Sequence, residues 1–246
     1  MALESILIIP DCHVPYHSER AWNLLMKAGK LLKPKHIVIM GDFVDFYQVS
    51  SHSKDPARVL STEDEIKAAS KCLSQLDQLG AKNKLYIEGN HEDRMNRYLM
   101  EHAPELKSMI RVEELLKLKE RKWKFTPYKT HTKIGKLHFT HDTGTAGPTA
   151  HKTSLHTFQD NVVIGHTHRI AYCVEGNAKG NPHVGAMFGW LGDVKQVDYM
   201  HRIKADRDWA MGFGIGHLDT ATNFVYLQPI PLVNFTCVVN GKLLKG

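Results

Sequence analysis

The 246-residue sequence predicts an α/β fold on two observations. Short aliphatic runs alternate with segments of helical spacing through the first half of the chain. Five such runs also stop abruptly beside Gly, Asp or His. Brief β-branched and aliphatic runs bounded by breakers read as buried strands. Strand–helix–strand repetition then implies right-handed crossovers and a parallel sheet.

Taken in order, Ile6-Leu7-Ile8-Ile9 forms a strand that begins at about Ser5. Residues 19–31 place Ala21, Leu24, Leu25, Ala28 and Leu31 on one helical face, and Pro34 requires that helix to end. Residues 36–40 form the second strand. Thr62 and Glu65 suit a capping box for a helix that runs to Leu79, with Gly80 as its terminator. Residues 84–87 form the third strand, with helical stretches predicted over 92–102 and 105–120. Residues 136–140 and 162–164 supply the fourth and fifth. Beyond Gly165 the texture changes to short strands at 170–174, 213–218 and 223–227, and a terminal hairpin through Asn240-Gly241, a strong turn dipeptide.

Composition narrows the class. A 42% hydrophobic content supports a sizeable core, and no Pro/Gly/Ser-rich linker divides the chain. No apolar stretch approaches the roughly 18 residues of a membrane helix, so no membrane partner is expected. The start lacks a basic n-region and cleavage site, and the cysteines at 12, 72, 173 and 237 show no paired spacing. Both features predict a reducing cytoplasm. Alternation turns Cys12 away from its neighbours and into packing. The net charge of +6 is compatible with a polyanionic substrate. In the basic segment 117–136, the alternation of Lys122 and Lys124 with Trp123 and Phe125 fits a half-buried strand better than a nucleic-acid track.

Each of the five strands delivers chemistry at its C-terminal end, where open α/β sheets bind ligands. The deliveries are Asp11-Cys12-His13, Gly41-Asp42-Phe43-Val44-Asp45, Gly89-Asn90-His91-Glu92, His141 and Gly165-His166-Thr167-His168. A lone strand-end Asp is more often a turn former than a ligand. The ordered set is different, because it offers enough Asp, His and Asn side chains to hold two metal ions.

This set resembles the D-x-H, G-D-x-x-D, G-N-H-[D/E], H and G-H-x-H signature of the calcineurin-like metallophosphoesterase superfamily, across residues 11–168. The resemblance implies a four-layer α/β/β/α sandwich of two mixed sheets, with the metal site at strand C-terminal ends; residues 1–246, with no linker dividing motifs that need one another in space, are read as one domain. It implies that Asp11, His13, Asp42 and His168 hold one divalent ion, and that Asp42, Asn90, His141 and His166 hold a second, with Asp42 bridging. Two such ions, about 3.5–4 Å apart, activate water and clamp the attacking and leaving oxygens of an in-line displacement. The mixed N/O ligand set favours Mn²⁺, with Fe, Zn, Ni or Co as alternatives. His91 would act on the substrate as transition-state stabiliser or acid, oriented by Asp45. His141 is preferred over His131, His138 and His151 because it follows strand 136–140, whereas His138 sits inside it. Asp142 stands where the family often has Gly, and suits contact with metal or water. A salt bridge with Arg94 or a place at a helix N-terminus explains Glu92 equally well.

Two departures point to a branch. The superfamily's phosphoprotein phosphatases carry an Arg where this chain has Phe46, and they usually lack the second His of G-H-x-H, present here as His168. Both features resemble the phosphodiesterase-type branch, and the stretches around Trp190 and Trp209 resemble small bacteriophage-encoded phosphoesterases. The expected substrate is a phosphoester, either a nucleotide or nucleic acid, with phosphomonoesterase as the alternative. Phe46, Tyr47 and Arg58, on the loop after the bridging Asp, are candidate substrate-binding residues. His52, Lys54, His201, Arg202 and Arg207 are further cations within reach. The sequence does not decide oligomeric state.

Overall fold

The structure, a computed structural model, describes residues 3–176, 178, 180–196 and 208–246. Strands β1 (Leu3–Ile9), β2 (His36–Ile39), β3 (Asn83–Ile87) and β4 (Lys124–Thr126) run parallel, with β10 (Gly212–Asp219) antiparallel beside β1 and β11 (Val225–Pro231) antiparallel beside β10 at the edge. The second sheet orders β5 (Thr132–Ile134), β6 (Leu137–Thr140), β7 (Asn161–Ile164), β9 (His183–Phe188) and β8 (Ile170–Glu175) as β5-β6-β7-β9-β8. A hairpin of β12 (Thr236–Val239) and β13 (Lys242–Lys245) closes the chain around the predicted Asn-Gly turn.

Strand periodicity explains the layering. On β1, Leu7 and Ile9 face α1 (Glu19–Leu32) and α2 (Thr62–Asp77), in one cluster with Leu24, Leu25, Leu73 and Leu76. The alternate residues Ile6 and Ile8 join Val38, Met40, Leu137, Phe139, Val163 and Phe188 in a second cluster between the sheets. The far face of the second sheet meets α5 (Ala150–Phe158) through Leu155, Val162, Ile164 and Met187. The result is the expected α/β/β/α sandwich. Among the described residues no helix is long and apolar enough to cross a membrane.

Several local expectations shift. The capping box uses Ser61 and Asp64, one residue earlier than predicted, because the Glu65 carboxylate turns inward to accept from the Tyr47 N–H at 3.1 Å. The helix predicted over 105–120 contracts to α4 (Val112–Leu115) after a 3-10 turn at Pro104–Leu106. Leu116 and Leu118 are both buried, a two-residue spacing that a helix places on opposite faces, and Lys117 between them takes a left-handed φ of 53°. The helix after the third motif is α3 (Asp93–His102). Trp123 is buried and Lys122 and Lys124 exposed, so this stretch is the half-buried strand approach expected, tied down by Trp123 Nε1 donating to Asp77 at 2.9 Å. Cys12 is buried in the core.

Candidate metal centre

The site lies where the C-terminal ends of β1, β2 and β3 in one sheet meet those of β6 and β7 in the other. The turns leaving these strands bend sharply: His13, Asp42, His166 and His168 adopt φ of 55°, 48°, 64° and 56°. Left-handed backbone is uncommon for non-glycine residues and costs about 1–3 kcal/mol each, a strain that concentrates at functional sites. Gly89 is required by close approach, because a Cβ there would overlap the Asp42 backbone and carboxylate.

Two convergent groups result. Asp11, His13 and His168 bring ligand atoms within 4.8 Å of one another, and so do Asp42, His141 and His166. His13 Nε2 faces His168 Nε2 at 3.1 Å, while the Asn90 Oδ1 lies 2.9 Å from His141 Nε2 and 2.8 Å from His166 Nδ1. Asp42 stands between the groups: its Oδ1 is 3.4 Å from His141 Nε2 and accepts from the His91 N–H at 2.8 Å. All seven residues predicted as ligands are thus brought together. Histidine nitrogens and carboxylate oxygens aimed at a common point fit divalent transition ions, and their outer partners fit as well. His141 Nδ1 donates to the Met40 carbonyl at 2.8 Å and His13 Nδ1 to Asp45 Oδ1 at 3.1 Å, which leaves each Nε2 turned inward. His138 instead points to Asp160, with the His131 ring tilted against it at 4.9 Å, so the choice of His141 rests on geometry.

Electrostatics follow from this crowding. Burial opposes ionisation of Asp42, yet His141 and His91 hold its carboxyl well below the usual range. Burial likewise opposes protonation of His141, but Asp42 and Asp11 push its pKa up to about 10. Burial and the neighbouring Arg94 disfavour a charged His91; the Asp42 and Asp45 carboxylates outweigh them and raise its pKa.

The positioning of His91 is richer than the sequence indicated. Its Nδ1 lies 2.9 Å from Asp45 Oδ1, the same oxygen that meets His13. Asp45 therefore orients two imidazoles rather than one. Arg94, expected from the sequence only as a partner for Glu92, places Nη2 2.9 Å from His91 Nε2 and Nη1 2.9 Å from the Asp45 carbonyl. A neutral His91 accepts from Arg94; once Nε2 is protonated it gains a hydrogen of its own, and the guanidinium must turn away. The sequence signal for Arg94 was its spacing, three residues past His91, across the turn that leads into α3, where the Arg94 N–H donates to the His91 carbonyl at 3.1 Å.

Other expectations are corrected. Glu92 stands at the N-cap of α3, as one of its two expectations had it, but forms no pair with Arg94: its buried carboxylate accepts from the N–H groups of Asp42, Phe43, Val44 and Gly89 and from the Tyr86 hydroxyl, all at 2.7–3.0 Å. Phe46 is fully buried in the core, so it cannot touch a substrate. Tyr47 is also buried, its hydroxyl accepting from the Asp55 N–H, and Arg58 sits 4.5 Å over the Tyr16 and Tyr47 rings, pinning the loop. Trp190 is buried and stacks on His168 at 4.8 Å, with Trp209 against both. Asp142 accepts from the Tyr128 hydroxyl and the Gly144 N–H, which occupies it away from the ligand groups. The loop after β2 does reach the site's edge through Ser50, Ser51 and His52. His201, Arg202 and Arg207 lie outside the described residues.

Residues 4–189 match the family model described as calcineurin-like phosphoesterase. Solved structures with similar folds include Vacuolar Protein Sorting 29 from Cryptosporidium parvum, 14% identical, with a TM-score of 0.49 over 98% of this chain and 95% of that one. YfcE, a phosphoesterase from E. coli, is 17% identical with a TM-score of 0.42 over 88% of each chain. No curated protein matches the sequence.

Proposed function

The chain belongs to the calcineurin-like phosphoesterase family, and from that premise we propose that it is a phosphodiesterase that requires two divalent ions, Mn²⁺ foremost, and acts on a nucleotide or nucleic acid. One observation carries the metal-dependent reading: Asp11, His13 and His168, and separately Asp42, His141 and His166, converge within 4.8 Å at the junction of the two sheets. Asp11, His13, Asp42 and His168 would hold one ion, and Asp42, Asn90, His141 and His166 the other. When bound, such ions supply Lewis-acid activation of water and neutralise phosphoryl charge.

The remaining chemistry belongs to the protein. Asp45 holds the His91 ring by Nδ1, so the proton that His91 can give to a leaving oxygen is the one on Nε2. Arg94 beside Nε2 supplies positive charge to the phosphoryl oxygens when it turns away from the protonated ring. The diester preference is supported by the position of the phosphatase Arg, which Phe46 fills with a side chain buried in the core. A diester carries less charge than a monoester dianion and depends less on a bidentate clamp there.

The test is hydrolysis by chelator-stripped protein before and after Mn²⁺ is restored, comparing an aryl phosphodiester, the matching monoester and a phosphopeptide. The proposal expects no turnover without metal and the highest kcat/KM for the diester. A clear preference for the phosphopeptide would reassign the protein to the phosphatases, while at most one bound ion together with no activity would overturn the two-metal assignment.

A further inference from the structure

Beside the ligand groups lies a cavity of about 300 Å³ that they do not occupy. Arg94 and Arg97 from the first turns of α3 form one wall, Tyr128 and Lys129 after β4 another, and His52 from the loop after β2 a third. Asn90 belongs to both places: it lines the cavity and its Oδ1 meets His141 and His166. The cavity therefore opens one side chain away from the second ligand group.

Its charge is one-sided. Three cations face one carboxylate, Asp93, which Arg97 Nε already holds at 3.2 Å. Arg97 Nη2 donates to the Asn90 carbonyl at 3.0 Å, and its Nη1 has no partner among the described residues. The Lys129 ammonium lies 5.5 Å from the centre of the Tyr128 ring, with no carboxylate at ion-pair distance among the described residues. Concave sites lined by one sign of charge concentrate ions of the other, and guanidinium groups match phosphate oxygens in a fork. Ligand cavities run from roughly 300 to 1,000 Å³, so this one suits a single phosphate with its sugar rather than a folded partner.

We propose that this cavity binds a second phosphate of the substrate, one sugar away from the phosphate under attack. Arg97 and Lys129 hold that phosphate, Tyr128 lies along the connecting sugar or base, and Arg94 faces both phosphates. This rests on the diesterase reading above, and it narrows the substrate to one that carries a flanking phosphate.

The test compares three thymidine 5′-(p-nitrophenyl phosphate) esters on the Mn²⁺-loaded protein: one with a free 3′-hydroxyl, one with a 3′-phosphate and one extended by a 3′-linked thymidylate. The expected result is a kcat/KM at least tenfold higher for both esters with a second phosphate, gained through KM. That ratio should fall towards one in the Arg97→Ala/Lys129→Ala double variant. Preference for the extended ester over the 3′-phosphate assigns a strand, and the reverse assigns a nucleotide with a terminal phosphate. Equal kcat/KM for all three, or a preference that survives the double variant, overturns the proposal. Should none of the esters be hydrolysed, the diesterase reading fails on its own. Calorimetric binding of thymidine 3′,5′-bisphosphate to metal-free protein then decides the subsite: binding tenfold weaker in the double variant supports it, and unchanged binding overturns it.

Discussion

The Asp45 carboxylate accepts from His13 and His91 together, so replacing it disturbs a proposed ligand and a proposed acid in one step. Removing such an outer partner typically costs 10–100-fold in metal affinity. Asp45→Asn should therefore lower ion content at limiting Mn²⁺ and reduce turnover, whereas His91→Ala should leave two ions bound and lower kcat by roughly 10²–10⁴-fold. Metal analysis beside kcat on a diester with a poor leaving group separates them. An Asp45→Asn protein that titrates both ions with unaltered affinity would rule out the dual role. Glu65 offers a residue-scale test by pH. Burial first, and then Asp45, push its carboxyl up to about 8, against an ordinary value near 4.3. A raised acid favours the folded state while it keeps its proton, so this contribution is complete below pH ~4 and is lost as pH rises to about 8. Glu65→Gln, neutral throughout, should thus melt like the native protein near pH 4 and gain progressively towards pH 8, by on the order of 5 kcal/mol. A melting difference that does not change with pH would show that Glu65 is ionised in the fold.

At the scale of elements, strand-end loops carry the chemistry, and Glu92 braces them. One carboxylate accepts four backbone N–H groups and a tyrosine hydroxyl, tying the loop after β2 to the loop after β3. Glu92→Gln would set an amide NH₂ against N–H donors, and leaving buried groups unpaired costs about 1–3 kcal/mol apiece. The expected loss is about 3 kcal/mol or more in chemical denaturation, and an unchanged midpoint would mean that the loops are held by other contacts. This brace also marks how far the sequence could be read. The proposed ligands were legible because each follows a strand whose aliphatic run is itself legible, at Ile6 to Ile9 or Val162 to Ile164. Glu92 was not, because its five partners are spread over residues 42–44, 86 and 89, and only the fold assembles them. β9 escaped notice for a related reason. Its central Gly185 weakens the strand pattern, yet it is needed because a Cβ there would overlap the His151 carbonyl on α5. Phe46 and Tyr47 looked like substrate-facing aromatics and are buried, a distinction that depends on packing rather than local pattern.

For the molecule as a whole, the proposed ligands are divided between the two sheets. Asp11, His13, Asp42 and Asn90 follow β1, β2 and β3, while His141, His166 and His168 follow β6 and β7. Ions held among them would clamp one sheet to the other at an edge where Asp11 and Asp42 are buried, while the apolar cluster of Ile8, Met40, Phe139 and Val163 joins the sheets behind it. Unfolding separates the sheets and so releases the ions, which makes metal affinity a term in global stability rather than a local property. A ligand at 100 times its Kd stabilises the folded state by about 2.7 kcal/mol, and for a chain of this size each kcal/mol moves Tm by roughly 2–4 °C. Saturating Mn²⁺ at that ratio should therefore raise the melting temperature of chelator-stripped protein by roughly 5–11 °C. Asp42→Asn should lose most of this shift, because its carboxylate stands between the two ligand groups. A surface substitution such as Lys242→Ala, on the exposed hairpin away from both sheets' metal edge, should keep it in full. If Mn²⁺ left the native melting temperature unchanged, or raised it equally in Asp42→Asn, ions would not be joining the sheets through this centre.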